Sequence, residues 1–359
     1  MEDPQIKLLE AMKRHHSRIS LLALLILFVL PASAHAHMRW FVDGAHPEQN
    51  WPWDLTSYLV LAGGVLFFLV SLWIHRAAVR GRIWKKLEEA KPDWEPWLWR
   101  LVAFLTGLAL IMNSAGKDYL APNLSLPDGG VLWFGLIAQL LVGILLITQV
   151  SFSISGVLIY VAAALAFLFN PIDLMVDYMF EFTALGLSLI LVGSGLSSVD
   201  KATMDRFKFN VSPFSHLALP ILRVGVGLTL VALAIHNKLL NPSMAVGFLN
   251  EHDLNFMPYI GFSEFSHLHY AFSAGIAELV IGMLILFGIA TRWTVAVLSI
   301  FFFSTLIALG PAELVGHFPL LGIAVLLIVC GGGRLRGRIP GTVSAGSAED
   351  APVDSSAPA

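Results

Sequence analysis

Apolar runs of about 18 residues or more recur along this chain, each long enough to cross the ~30 Å hydrocarbon layer of a bilayer. No water reaches the backbone there, so an isolated apolar segment must satisfy its own N–H and C=O groups as a helix. Beyond the N-terminus nine segments qualify, at roughly 56–78, 98–115, 131–150, 152–170, 179–197, 217–239, 267–289, 292–310 and 313–331. Composition agrees: 57% of the 359 residues are apolar and 13% charged, too few charges to cover a soluble surface of that size. The expected fold class is an all-α polytopic membrane protein, with the lipid bilayer as its first partner. A net charge of −3 with no basic block gives nucleic acid no footing. The single cysteine, Cys330, excludes an internal disulfide, a CxxC pair and a thiolate cluster. A metal site would therefore draw on His, Met and carboxylates.

Residues 1–36 read as a secretory signal. Lys13, Arg14 and Arg18 precede an apolar core from Leu21 to Leu30, Pro31 ends it, and Ala34-His35-Ala36 offers a small-x-small cleavage pattern. The core is short for a span, which favours cleavage over retention as an anchor. Cleavage after Ala36 makes His37 the first residue of an external segment, 37–55. A free α-amine and the Nδ1 of the same residue can chelate one metal ion, an arrangement similar to the histidine brace of copper proteins.

Charge orients the chain. Arg76, Arg80, Arg82, Lys85 and Lys86 follow the first span, Lys201, Arg206 and Lys208 fill the loop 199–215, Arg292 comes next, and Arg334, Arg336 and Arg338 open the tail 334–359. The opposite side holds Lys117 and Lys238 near helix ends, and Arg39. The positive-inside rule then expects an inner-membrane, multi-pass protein with a periplasmic mature N-terminus and a cytoplasmic C-terminus. Trp84, Trp94 and Trp97 among charges suggest an interfacial helix over 82–97, so that 56–97 comprises one span and its linker. The Ser-, Ala- and Pro-rich tail is expected to be disordered.

The other eight spans read as two parallel four-helix repeats, 98–198 and 216–333, joined by the cytoplasmic loop 199–215. Arg100 opens a helix ending with Asn113, Lys117 and Pro122, and Arg223 opens one ending with His236, Lys238 and Pro242. The next helices read Ala138-Gln139-Leu140-Leu141-Val142-Gly143 and Ala277-Glu278-Leu279-Val280-Ile281-Gly282. The fourth begin Asn170-Pro171-Ile172-Asp173 and Gly310-Pro311-Ala312-Glu313, with Asp177 and His317 four residues beyond the acids.

At these residues the second unit resembles the DoxX-like family of four-helix membrane proteins. The likeness rests on Arg223, His236-Asn237-Lys238, Ala277-Glu278-Leu279, Gly282 and Gly288-Ile289-Ala290-Thr291-Arg292, over about residues 216–331, with a degraded copy over 98–198. Members often read His-Gly-x-x-Lys, whereas here one residue separates His236 from Lys238. The family includes the small subunit of a thiosulfate:quinone oxidoreductase. The resemblance implies a membrane redox or accessory setting and names no substrate.

Ionisable groups at membrane depth are costly and are usually paired or functional. Glu278 replaces Gln139, and His236 stands where Asn113 stands, so the second repeat is the expected working half. Helical rise puts Arg223 and Glu278 within ~6 Å of one depth, which suggests a buried Arg223–Glu278 pair locking two helices. The alternative is a proton-carrying or quinone-facing carboxylate at Glu278. His236, Lys238 and Glu313 are the expected polar groups of the outer face. Seven of the nine histidines after Ala36 map to that face, including His37, His252, His267, His269 and His317, the candidate copper ligands. His267 and His269 would aim their rings alike if extended and diverge by ~200° on a helix. No Walker loop, dinucleotide fingerprint, Gly-x-Ser-x-Gly or HExxH occurs. The leading expectation is support of periplasmic copper or quinone-linked redox chemistry with a membrane or periplasmic partner. Transport of a metal ion or small anion and a non-catalytic assembly role remain as alternatives.

Overall fold

The computed structural model describes residues 49–78, 82–252, 254–309 and 311–333. The signal segment, His37, His46 and the tail 334–359 lie outside them. Among the described residues there are twelve α-helices and no strand. They are α1 (Leu55–Ala78), α2 (Arg82–Gly116), α3 (Gly130–Ile147), α4 (Phe152–Phe169), a single turn α5 (Ile172–Met175), α6 (Met179–Leu196) and α7 (Ser198–Phe207). Then come α8 (Ala218–Leu233), α9 (Pro242–His252), α10 (His267–Phe287), α11 (Thr291–Leu309) and α12 (Pro311–Cys330). Seven helical stretches are long and apolar enough to cross a membrane, and α11 and α12 carry the shorter apolar stretches Thr291–Ser304 and Val315–Cys330. Each of the nine expected spans thus coincides with a helix. The protein is an all-α polytopic membrane protein.

One expectation is corrected. Residues 82–97 are not a separate interfacial helix but the first part of α2, a continuous helix of 35 residues whose membrane-length portion is Asp93–Gly116. The helix continues through the charged stretch into the span even though Pro92 and Pro96 each lack the N–H of an intrahelical bond, so the change in polarity along α2 is not a break in structure.

The long helices close into a ring. α2 packs on α3, α3 on α4, α4 on α6, α6 on α8, α8 on α10, α10 on α11, α11 on α12, and α12 returns to α2. The last helix of each four-helix unit therefore meets the first helix of the other, the packing order that two equivalent units would have. Small residues set the closest approaches, as expected where lipid offers no hydrophobic drive between helices. A Cβ on Gly143 of α3 would lie 2.8 Å from the Gly107 carbonyl of α2, and one on Gly282 of α10 would lie 2.9 Å from the Val231 nitrogen of α8. In α4 and α6, Gly156 and Gly186 meet in the same manner.

Polar side chains fix the helix ends. At the end carrying Lys201, Arg206, Lys208 and Arg292 (the basic end), buried Asp200 accepts from the N–H groups of Phe152 at 2.8 Å and Ser153 at 3.0 Å. It so caps the N-terminus of α4, where backbone donors have no helical partner. The opposite, loop-rich end carries residues 117–129, 170–178 and 240–266. Helix α1 lies outside the ring against α10 and is tied to it at both ends. His269 bonds Asp54 at 2.8 Å, and the Ala290 N–H donates to His75 Nδ1 at 3.1 Å. Both contacts join residues 215 apart in sequence, so they are equally spaced along two parallel helices, ~32 Å apart at 1.5 Å per residue. That separation matches the hydrocarbon layer.

Candidate functional site

The polar groups of the second unit gather where α8 gives way to a π-helical turn, Ala234–Leu239. Its wider winding shows in the Leu240 N–H reaching back to the Ile235 carbonyl at 2.8 Å. Such turns are rare and frequent at functional sites. This one sends His236, Asn237 and Lys238 to two different neighbours. Lys238 Nζ meets Glu278 Oε2 of α10 at 2.6 Å, and both side chains keep under a fifth of their surface exposed. Asn237 donates to Asp177 Oδ2 at 2.9 Å, and His236 Nδ1 lies 3.4 Å from Asp177 Oδ1. Asp177 is buried and precedes α6, so this contact crosses from one four-helix unit to the other.

The equivalent place in the first unit is built differently. Gln139 Oε1 accepts from the Leu120 N–H at 2.6 Å, and its Nε2 donates to the carbonyls of Leu110 at 3.0 Å and Asp118 at 3.2 Å. Asn113 donates to the Leu120 carbonyl at 2.8 Å. The amides thus bind the helix to its own loop, with both Gln139 donors used. A neutral lock stands where the second unit has an ion pair.

Arg223 and Glu278 do not meet. Arg223 Nη1 donates to the carbonyls of Ile285 at 2.8 Å and Leu286 at 2.7 Å, and its Nε to Gly332 at 3.0 Å. These carbonyls close α10 and follow α12, where the helical pattern leaves acceptors without donors. A cation there also opposes the negative ends of two helix dipoles. Gly288 caps α10 at φ 71°, and a Cβ on it would sit 2.6 Å from Arg223 Nη1. The arginine is an anchor at the basic end, and Glu278 belongs to the lysine.

The histidines are dispersed. His267 opens α10, and His269 closes a capping box with Ser266 while bonding Asp54, so the pair is helical, not extended. His252 packs on Phe248 with ring centroids 4.9 Å apart, and His317 on Phe302 at 5.1 Å. The side chain of Glu313 lies outside the described residues. Among the described residues no three His, Cys, Asp or Glu side chains form a group able to hold a metal ion. The donor set of His252, His267, His269 and His317 does not fit one copper.

A short strap before α1 covers the site's rim. The Trp51 indole donates to the Leu239 carbonyl at 2.9 Å, at the end of the π turn, and its ring lies 5.1 Å from Phe272. Gln49 N–H donates to Ser243, and Asp54 closes the strap on His269. The Ser57 N–H, and after it His269, hold the Asp54 carboxyl below its ordinary range. Asp177, Asn237 and this strap were not among the expected site residues.

Residues 218–311 match the DoxX family model. The DoxX segment runs from the start of α8 through α11 and so contains Arg223, the π turn, Lys238 and Glu278. No curated protein and no solved structure matches the chain.

Proposed function

We propose that this protein is a membrane subunit supporting quinone-linked redox chemistry, with the DoxX segment as its working half and the first four-helix unit as a duplicated scaffold. One observation carries the reading: the Lys238–Glu278 pair at 2.6 Å occupies, beside a π turn, the place that a saturated amide fills in the first unit. A quinone takes up protons as it takes up electrons, and it needs donors near the membrane boundary that can release and regain them. A lysine and a carboxylate sharing a proton-bearing contact supply such groups, with electrons coming from a redox partner. The basic end would face the cytoplasm, as the charge distribution expects. That leaves the loop-rich end, with the pair and its strap, outside.

The test is binding of a short-chain benzoquinone to the full-length protein in nanodiscs, read by tryptophan quenching. Glu278→Gln and Lys238→Met should each weaken binding by about tenfold or more, or ~1.4 kcal/mol. Substituting exposed Glu251 should change nothing. Equal binding by all three variants would overturn the proposal. A copper role now rests on His37, outside the described residues. Metal analysis of the mature protein beside His37→Ala decides it: about one copper per chain, lost in the variant, is the supporting result.

A further inference from the structure

The seam between the two units holds a second ionisable group that the reading above does not use. Glu181, in the first turn of α6, is 9% exposed and makes no hydrogen bond or ion pair among the described residues. The register of α6 on α8 frames it. A Cβ on Gly225 would fall against Ala184 on one side of it, and Asn237 bonds Asp177 on the other. Between the same two contacts on α8 lies Thr229, 2% exposed, whose hydroxyl is likewise without a partner.

The charged and titratable groups of every element packed against α6 are committed elsewhere or lie at the far end. From α4 comes Tyr160, which donates to the Thr183 carbonyl. From α8 comes Arg223, held by carbonyls at the basic end. The π turn adds Lys238, paired with Glu278, and His236, which faces Asp177. At the basic end are Asp200, Lys201, Asp205 and Arg206 of α7, and His216 of the 3-10 turn Ser212–Leu217. An anion at Glu181 would therefore be buried without a counter-charge, which proteins avoid by neutralising the group. The partial charge of the α6 N-terminus is the smaller effect.

We infer that Glu181 is a proton-binding site in the seam between the two units: a carboxylic acid that carries its proton at neutral pH and exchanges it through the loop-rich end. The direction of exchange follows from what lies on each side. Toward the loop-rich end the seam is polar, with Asp177, His236 and Asn237. Toward the basic end α6 buries Ala184, Leu185, Leu189 and Leu191, and its one buried hydroxyl there, Ser188, is already bonded to the Ala218 carbonyl. The inference does not rest on quinone chemistry, and its failure would leave the Lys238–Glu278 proposal untouched.

The test uses dicyclohexylcarbodiimide on the full-length protein in proteoliposomes. The O–H of a protonated carboxyl adds across one C=N bond of the reagent. Rearrangement to the N-acylurea loses no atoms, so an adduct forms only where a proton is held in apolar surroundings. Peptide mass analysis should find the adduct on Glu181 at neutral pH and not on exposed Glu251. Labelling should fall at least tenfold as the loop-rich side is made alkaline, and stay unchanged when only the other side is. Infrared spectra should show a protonated-carboxyl band that Glu181→Gln removes, which decides the case even where the reagent reaches the seam slowly. Absence of both the band and the adduct in folded protein would overturn the inference. So would labelling that follows the pH of the basic side.

Discussion

Breaking the Lys238–Glu278 contact from either side, and then from both, gives the most direct measure of what the second unit gained. Removing one partner of a fully buried pair costs about 3–5 kcal/mol, because the survivor is left charged and unpaired. Exposed pairs are worth about 0.2–1 kcal/mol. With side-chain exposures of 18% and 19%, this pair sits near the lower edge of the buried range. The two single variants should not be equal. Lys238 lies in the last turn before the loop-rich end and has a long apolar stem, so in Glu278→Gln its head can swing toward water at a cost of about 1–2 kcal/mol. Glu278 sits twelve residues into α10 and cannot follow, so Lys238→Met should cost about 3 kcal/mol. In the double variant no charge is stranded, and its loss should fall short of the sum of the singles by about 2 kcal/mol. Denaturant titration in mixed micelles, followed by tryptophan fluorescence, measures all four proteins. Additivity within about 0.5 kcal/mol would show that the two charges do not feel one another, and the site would lose its centre.

Arg223→Leu removes the donor from three carbonyls and should cost about 3–5 kcal/mol in the same assay, with Arg223→Lys recovering part of it. Gly143→Ala drives a Cβ to 2.8 Å from the Gly107 carbonyl and 2.7 Å from Ile111, so a loss of about 1–3 kcal/mol is expected. Gly63→Ala, which meets nothing within 4 Å, should be neutral or slightly stabilising, and a loss there comparable to Gly143→Ala would undo the packing argument. Asp54→Asn should act through pH. Because the folded carboxyl is held below its ordinary value of 3.8, its stabilisation is present above that value and lost as pH falls through the folded one. The gap in unfolding midpoint between parent and variant should therefore be full above the ordinary carboxylate range and close as pH falls below it.

What the sequence made legible was what adds up residue by residue. Hydropathy is such a quantity, and it located the long helices to within a few residues, except the start of α2, where a charged stretch continues the helix. The register that aligns Gln139 with Glu278 and Asn113 with His236 also points to the helix turns where the structure gathers polar contacts. The partners were another matter, because depth along a helix says nothing of azimuth or of backbone acceptors. Arg223 was assigned to Glu278 by depth alone, yet every helix end offers unpaired carbonyls, and the Gly288 and Gly331-Gly332-Gly333 stops at the same level were the signal that it had nearer acceptors. His267 and His269 were weighed as an extended pair, while Ser266, a good N-cap, already marked the start of a helix there. The π turn and the Asp177 contact depend on how α6 meets α8, and nothing local in the sequence encodes that meeting.

The contrast between the units then has a physical reading. Gln139 spends both its donors on backbone carbonyls and closes a loop, so it has no proton to offer and little freedom to turn toward a ligand. Glu278 at the same place makes one contact, to a flexible lysine, and Lys238 retains donors that Glu278 does not occupy. The charge of the second unit sits on the turn whose neighbouring residues, His236 and Asn237, meet Asp177 across the seam. The hydrogen-bonding capacities of residues 139 and 278 therefore differ in kind: the first unit is closed by a neutral amide, and the second keeps an ion pair with donors to spare.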